Sequence, residues 1–77
     1  MVANVILAPT GVKLVPVPDT AALLVHAGVL AVTYLDVDGV TAEAWVFRRG
    51  EWREAWLRPA GTDERRQYVA AEGRQVD

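Results

Sequence analysis

The amino-acid sequence predicts a mainly β fold, a small antiparallel barrel or sandwich, and three observations support that prediction. Turn-forming pairs such as Asp38-Gly39 and Arg49-Gly50 recur at intervals of roughly ten residues, the spacing expected of short antiparallel strands. The strand registers set by two of these turns agree with each other, since both gather the aromatic side chains on one face. No repeat or linker divides the 77 residues, so we expect a single β-rich domain over residues 1–77.

The middle of the chain predicts a three-stranded meander, with strands at about 30–37, 40–48 and 51–58. Asp38-Gly39 favours a two-residue hairpin turn, because a type I′ turn needs positive φ at both central residues. Arg49-Gly50 predicts the second hairpin. Side chains alternate between the faces of a strand, so the two hairpins together place all three tryptophans on one face. We expect that face to form the core, and it comprises Leu30, Val32, Tyr34, Trp45, Phe47, Trp52 and Trp56.

The opposite face of the predicted meander is apolar as well, although a solvated sheet face is normally polar. We therefore expect it to be covered, either by other parts of this chain or by another subunit. The predicted interface residues on this face are Leu35, Val37, Val40, Ala42, Ala44, Val46, Arg53, Ala55 and Leu57.

The segments on either side of the meander carry weaker signals. Residues 1–18 predict an N-terminal hairpin or arm, in which Pro16 and Pro18 confine the second strand to a sheet edge. Residues 21–28 fit either a short helix or a buried strand, and periodicity does not separate the two at this length. Thr62 as an N-cap and Gly73 as a C-terminal cap predict a short helix over 62–73.

Composition excludes several kinds of site. The chain has no cysteine and no serine, which rules out disulfides, thiolate zinc sites and serine or cysteine nucleophiles. His26 is the one histidine, and we interpret it as a packed or partly exposed side chain rather than a base. The run Asp36-Val37-Asp38-Gly39 matches the start of a calcium loop, but Phe47 occupies the position of its closing glutamate. We expect no enzymatic activity, no cofactor and no metal.

Two other functions remain as alternatives. Arginines interleaved with Trp52, Trp56 and Tyr68 are typical of small barrels that bind single-stranded nucleic acid, although the net charge of −2 argues against that partner. Glu43 and Glu54 share the predicted aromatic face and would suit a small-ligand or sugar-binding domain. The charge pattern shows no polybasic segment for a membrane surface.

The small size of the chain leads to the functional prediction. A domain this short buries only about 60 to 65% of its unfolded surface, so its stability is marginal without a disulfide, a metal or a partner. We therefore expect a soluble, non-enzymatic assembly subunit whose partners are copies of itself or a larger shell protein. Decoration and minor capsid proteins of tailed phages have a similar size and composition. The prediction is thus a virion protein, or a cytoplasmic one if that comparison fails.

Overall fold

The computed structural model describes residues 1–72, which form seven strands in two antiparallel sheets. One sheet has the order β2-β1-β6-β7 and the other the order β3-β4-β5. The strands are β1 (Val2–Leu7), β2 (Val12–Pro16), β3 (Ala22–His26), β4 (Val29–Leu35), β5 (Thr41–Phe47), β6 (Trp52–Arg58) and β7 (Arg66–Ala70). The sheets do not close into a barrel, and within these residues no helix is long and apolar enough to span a membrane.

The core lies between the two sheets, and both contribute to it. Val5 from the four-stranded sheet and Leu30 and Val32 from the three-stranded sheet are fully buried. Trp52 is also buried, and its Nε1 donates a hydrogen bond of 2.9 Å to the carbonyl of Gly28. The indole therefore has its polar atom satisfied, which removes the cost of burying an unpaired donor.

The N-terminal hairpin predicted for residues 1–18 is confirmed. β1 pairs with β2 from Val2 opposite Pro16 to Ile6 opposite Val12. β2 is an edge strand, as expected for a strand that contains Pro16.

Residues 21–28, for which helix and strand were both considered, form the strand β3 and a tight turn. Ala27 and Gly28 have φ angles of 51° and 80°, and they join His26 to its partner Val29. Positive φ at both central residues is the conformation of a type I′ hairpin turn. Gly28 is thus the second central residue of a β-hairpin turn.

The first predicted hairpin of the meander is correct in its strands and partly wrong in its register. β4 pairs with β5 at Leu30–Phe47 and Val32–Trp45, as predicted. A bulge then shifts the register, so that Leu35 pairs with Thr41 rather than with Ala42. The bulge adds one residue to β5, and residues beyond it change partners.

The second predicted hairpin is wrong, because β5 and β6 belong to different sheets. The turn itself forms, with a 3.0 Å hydrogen bond from the N–H of Glu51 to the carbonyl of Arg48. Beyond it, β6 pairs with β1 and β7, so the chain crosses from one sheet to the other. Arg49-Gly50 therefore determined a turn but not the partner of the strand that follows. The meander predicted from strands at about 30–37, 40–48 and 51–58 does not form, and the three-stranded sheet consists of β3, β4 and β5 instead.

The C-terminal helix predicted over residues 62–73 is not seen in the described part of that segment, which contains β7 instead; residue 73 lies outside the described residues. Thr62 makes the local hydrogen bond of a cap, but its Oγ1 accepts from the N–H of Glu64 within a turn. In β7, Tyr68 stacks on Trp56 while Val69 packs against the core. Alternation along a strand buries Val69 and leaves Tyr68 outside, which suits the thin apolar content of this segment.

Candidate functional site

The predicted interface residues divide into three groups. Ala55 and Leu57 are buried in the core at 0% and 3% exposure, so they form no part of an outer surface. Ala44 also packs against the core cluster. Arg53 is exposed, but it lies on β6 in the other sheet. The other five come from β4, β5 and their connecting loop: Leu35, Val37, Val40 and Val46 are exposed, whereas Ala42 is partly buried opposite Tyr34.

The misplacement of Ala55 and Leu57 has a physical cause. A bulge in the pairing of β1 with β6 lets both Trp52 and Ala55 be buried, although they are an odd number of residues apart. Period-two alternation cannot predict this, because the inserted residue Arg53 reverses the faces.

The outer face of the three-stranded sheet carries an apolar row that crosses all three strands. Leu24 is the partner of Ala31, and Ala31 is the partner of Val46. Leu24 is 54% exposed and Val46 is 43% exposed. We call these three residues the Leu24 row. Leu24 is not among the interface residues predicted from the sequence. The signal that could have found it is Gly28, which could have been interpreted as part of a hairpin turn that pairs residues 22–26 with β4.

The loop between β4 and β5 carries further exposed apolar side chains. The Asp36 carboxylate accepts hydrogen bonds from the N–H groups of Asp38 and Val40, each at 2.9 Å. Gly39 supplies a φ of 76°, which a glycine adopts without strain. This arrangement leaves Val37 fully exposed and Val40 at 60% exposure. The Asp36 carboxylate thus holds the loop backbone in place. This structural role accounts for the run Asp36-Val37-Asp38-Gly39, which resembles the start of a calcium loop.

A second cluster lies on the four-stranded sheet, where Trp56 and Tyr68 stack with ring centroids 6.5 Å apart. The Arg65 guanidinium lies 3.9 Å from the centroid of the Trp56 ring. The Tyr68 hydroxyl donates a hydrogen bond to the Glu54 carboxylate. That hydrogen bond, with desolvation and the carboxylate charge, raises the pKa of Tyr68 above its ordinary value of 10.0. Nearby, Arg58 Nε donates to Asn4 Oδ1 at 3.2 Å.

The groups considered for acid–base chemistry do not come together. Glu43 is on β5 of one sheet and Glu54 on β6 of the other, so the predicted carboxylate pair beside the tryptophans is wrong. Arg58, on the same strand as Glu54, donates hydrogen bonds to Asn4 Oδ1 and to the carbonyl of Thr62. His26 is exposed at the end of β3. No group of three metal-ligating side chains occurs among residues 1–72.

The two sides of the sandwich, where an edge of one sheet faces an edge of the other, differ in how they are closed. On one side the Gln67 amide bonds to both the N–H and the carbonyl of Leu23, at 3.1 and 2.8 Å. On the other side the Lys13 ammonium lies 4.4 Å from the centroid of Trp45. Here a groove of about 360 Å³ runs between the sheets, and Trp45 is 46% exposed.

Comparison with known proteins adds no family to these observations. No family model matches the sequence, and no significant match was found among curated proteins or among solved structures.

Proposed function

We propose that this protein is a non-enzymatic assembly subunit that associates through the outer face of its three-stranded sheet. The observation that carries the proposal is the Leu24 row, supplemented by the exposed side chains of Val37 and Val40 in the loop of the same sheet. Exposed apolar surface on a small domain is typical of an interaction site. Burying it against protein would add to the core of a chain that is too short to have a large stability margin.

The partner we propose is another copy of this chain, so that the apolar surfaces of two molecules cover each other. A self-complementary contact needs only one patch per subunit, which is the arrangement in most oligomers of identical chains. The setting we propose for such an assembly is a virion, as a capsid decoration or minor capsid protein. This part of the proposal rests on size and composition.

Sedimentation velocity of the purified chain over a range of concentrations tests the proposal. We expect the wild-type protein to form oligomers, and Leu24→Asp to weaken association while the circular dichroism spectrum stays unchanged. Leu14→Asp is the matched control, because Leu14 is 51% exposed on an edge strand of the other sheet. Equal effects of the two substitutions, or a monomeric wild-type chain at every concentration, would contradict the proposal.

A second candidate function is the binding of single-stranded nucleic acid at Trp56, Tyr68 and Arg65. Stacked aromatic rings beside a guanidinium are the elements that bind unpaired bases. The observation that favours it is the Trp56–Tyr68 stack on an outer sheet surface. Quenching of tryptophan fluorescence by an oligothymidine, lost in Trp56→Ala and weakened by salt, would support this function. An unchanged spectrum at saturating oligonucleotide would exclude it.

A further inference from the structure

We propose that the outer edge of β5, which pairs with no strand among residues 1–72, pairs with β5 of a second copy, antiparallel, about a twofold axis at Val46. This inference rests on the proposed assembly function and specifies how the first contact forms. It concerns the backbone edge of the strand, whereas the Leu24 row concerns the sheet face.

The hydrogen-bond pattern of the sheet determines which backbone groups of β5 are free. Gln67 bonds to the N–H and carbonyl of Leu23, so these groups point away from β4. In an antiparallel sheet, the N–H and C=O groups of successive residues point alternately to one side of the strand and to the other. The groups of two facing residues point either toward each other or away from each other. Leu23 faces Val32, so the N–H and C=O of Val32 point away from β3 and toward β5. Val32 faces Trp45, so the N–H and C=O of Trp45 point toward β4. The N–H and carbonyl of Val46 therefore point outward from the edge.

The edges of the three-stranded sheet differ in their protection. The outward groups of β3 at Leu23 are occupied by the Gln67 amide. On the other sheet, β2 carries Lys13 and ends at Pro16, two residue types that block strand addition. β5 has neither a lysine nor a proline over its seven residues. Its bulge near Ala44 restricts regular pairing to the second half of the strand, around Val46.

The charges of β5 are complementary to those of a second β5 in this arrangement. Pairing about Val46 places Trp45 opposite Phe47 of the second copy. It also brings Glu43, which lies beyond the bulge, near Arg48 and Arg49 of that copy, which follow the end of its β5. Within residues 1–72, neither Glu43 nor Arg48 forms an ion pair, and both are exposed. Twofold symmetry makes each attraction occur twice. Opposite charges across strands stabilise pairing and like charges oppose it, so the charge pattern favours the antiparallel partner.

The pairing also extends the apolar surface already described. Val46 is the end of the Leu24 row at the β5 edge. Two copies joined at Val46 would align their rows into one continuous strip across six strands. The edge contact thus forms a dimer, and the enlarged face is available for further association.

Val46→Pro is the direct test, because it removes the outward N–H and leaves the bonds that Trp45 and Phe47 make to β4. We expect this variant to be monomeric in sedimentation velocity while keeping the wild-type circular dichroism spectrum. Val46→Thr, which retains the N–H and the strand preference, is the matched control and should remain dimeric. A Val46→Pro chain that is folded and still dimeric would overturn the inference.

A charge-exchange experiment tests the same contact without a proline. Glu43→Arg and Arg48→Glu should each lower the affinity of the homodimer. We expect a loss of about tenfold for Glu43→Arg, because like charges then face each other at both ends of the contact. Mixing the two variants should restore dimers, detected by native mass spectrometry as a species containing one chain of each mass. Dimers that are insensitive to both substitutions, or a mixture that forms no mixed species, would overturn the inference.

The two proposals fail in different ways. If Leu24→Asp stops association at the dimer and Val46→Pro abolishes the dimer, both are supported. If Val46→Pro has no effect but Leu24→Asp does, the edge inference is wrong and the assembly face stands. If only Val46→Pro has an effect, the edge pairing stands and the face is wrong. A wild-type chain that is always monomeric overturns both.

Discussion

Tyr68 connects an aromatic stack and a carboxylate on the surface of the four-stranded sheet. Its ring stacks on Trp56, and its hydroxyl donates to the Glu54 carboxylate. Because that hydrogen bond needs the neutral phenol, it raises the pKa of Tyr68 above 10.0, and Arg65 acts in the opposite direction. The pKa is higher in the folded chain than in the unfolded one, so this contribution to stability is complete below the ordinary pKa. It is lost as the pH rises through the folded pKa, in the alkaline range above about pH 10.

Ultraviolet difference titration measures this pKa directly. The background variant Tyr34→Phe leaves Tyr68 as the only titrating tyrosine, since the chain has two. Glu54→Gln should lower the pKa of Tyr68 toward its ordinary value, because it removes the anionic acceptor. Arg65→Gln should raise it further, because it removes a cation that favours the phenolate. Shifts in the same direction for both variants would contradict this account of the cluster.

At the scale of elements, β7 closes one side of the sandwich through a side chain rather than through strand pairing. Gln67 has a φ of 48°, an uncommon value for a residue other than glycine. It lies where the pairing of β6 with β7 shifts register, which directs its amide toward β3. The amide satisfies two backbone groups of Leu23 that would otherwise be open to another strand. Local backbone strain at Gln67 is thus offset by protection of an edge.

Gln67→Ala should lower the free energy of unfolding by about 1 to 2 kcal/mol, because two hydrogen bonds are lost. Hydrogen exchange of the Leu23 amide should become faster in this variant. Gln67→Gly should be less destabilised than Gln67→Ala, since glycine relieves the positive φ. Arg66→Ala is the control on the same strand and should change stability by less than about 0.5 kcal/mol. Slow exchange of the Leu23 amide in Gln67→Ala would show that another group protects it.

For the whole molecule, the structure separates the apolar residues of the predicted interface into core and surface. Leu57 packs between the sheets at 3% exposure, whereas Leu24 lies on an outer face at 54%. The two leucines therefore serve different purposes. Leu57 stabilises the single chain, and Leu24 belongs to the surface that we propose for association.

Leu57→Ala should destabilise the chain by about 2 to 4 kcal/mol, because it removes buried methyl groups and leaves a cavity. Leu24→Ala, the same change on the surface, should alter the stability of the monomer by about 0.5 kcal/mol or less. Urea denaturation at a concentration where the protein is monomeric measures both. A loss of stability in Leu24→Ala equal to that in Leu57→Ala would place Leu24 in the core and contradict the exposed row.

The sequence predicted the positions of the turns and of most strands, because these depend on local preferences. Asp38-Gly39 and Arg49-Gly50 form turns, and the N-terminal hairpin and the pairing of Leu30 with Phe47 are confirmed. In the candidate site, the exposure of Val46 follows from strand alternation, whereas Val37 and Val40 are exposed because they lie in the loop between β4 and β5.

The tertiary structure decided which strands pair and which faces are buried. A turn specifies a change of chain direction but not the partner of the strand that follows. The pairing of β6 with β1 and β7 depends on the apolar surface that the whole chain buries. Bulges opposite β1 and β4 then reverse the alternation, which buries Ala55 and leaves Trp56 outside. Likewise, the segment after Thr62 becomes a strand because the edge of β6 offers hydrogen bonds and stacking that an isolated helix lacks.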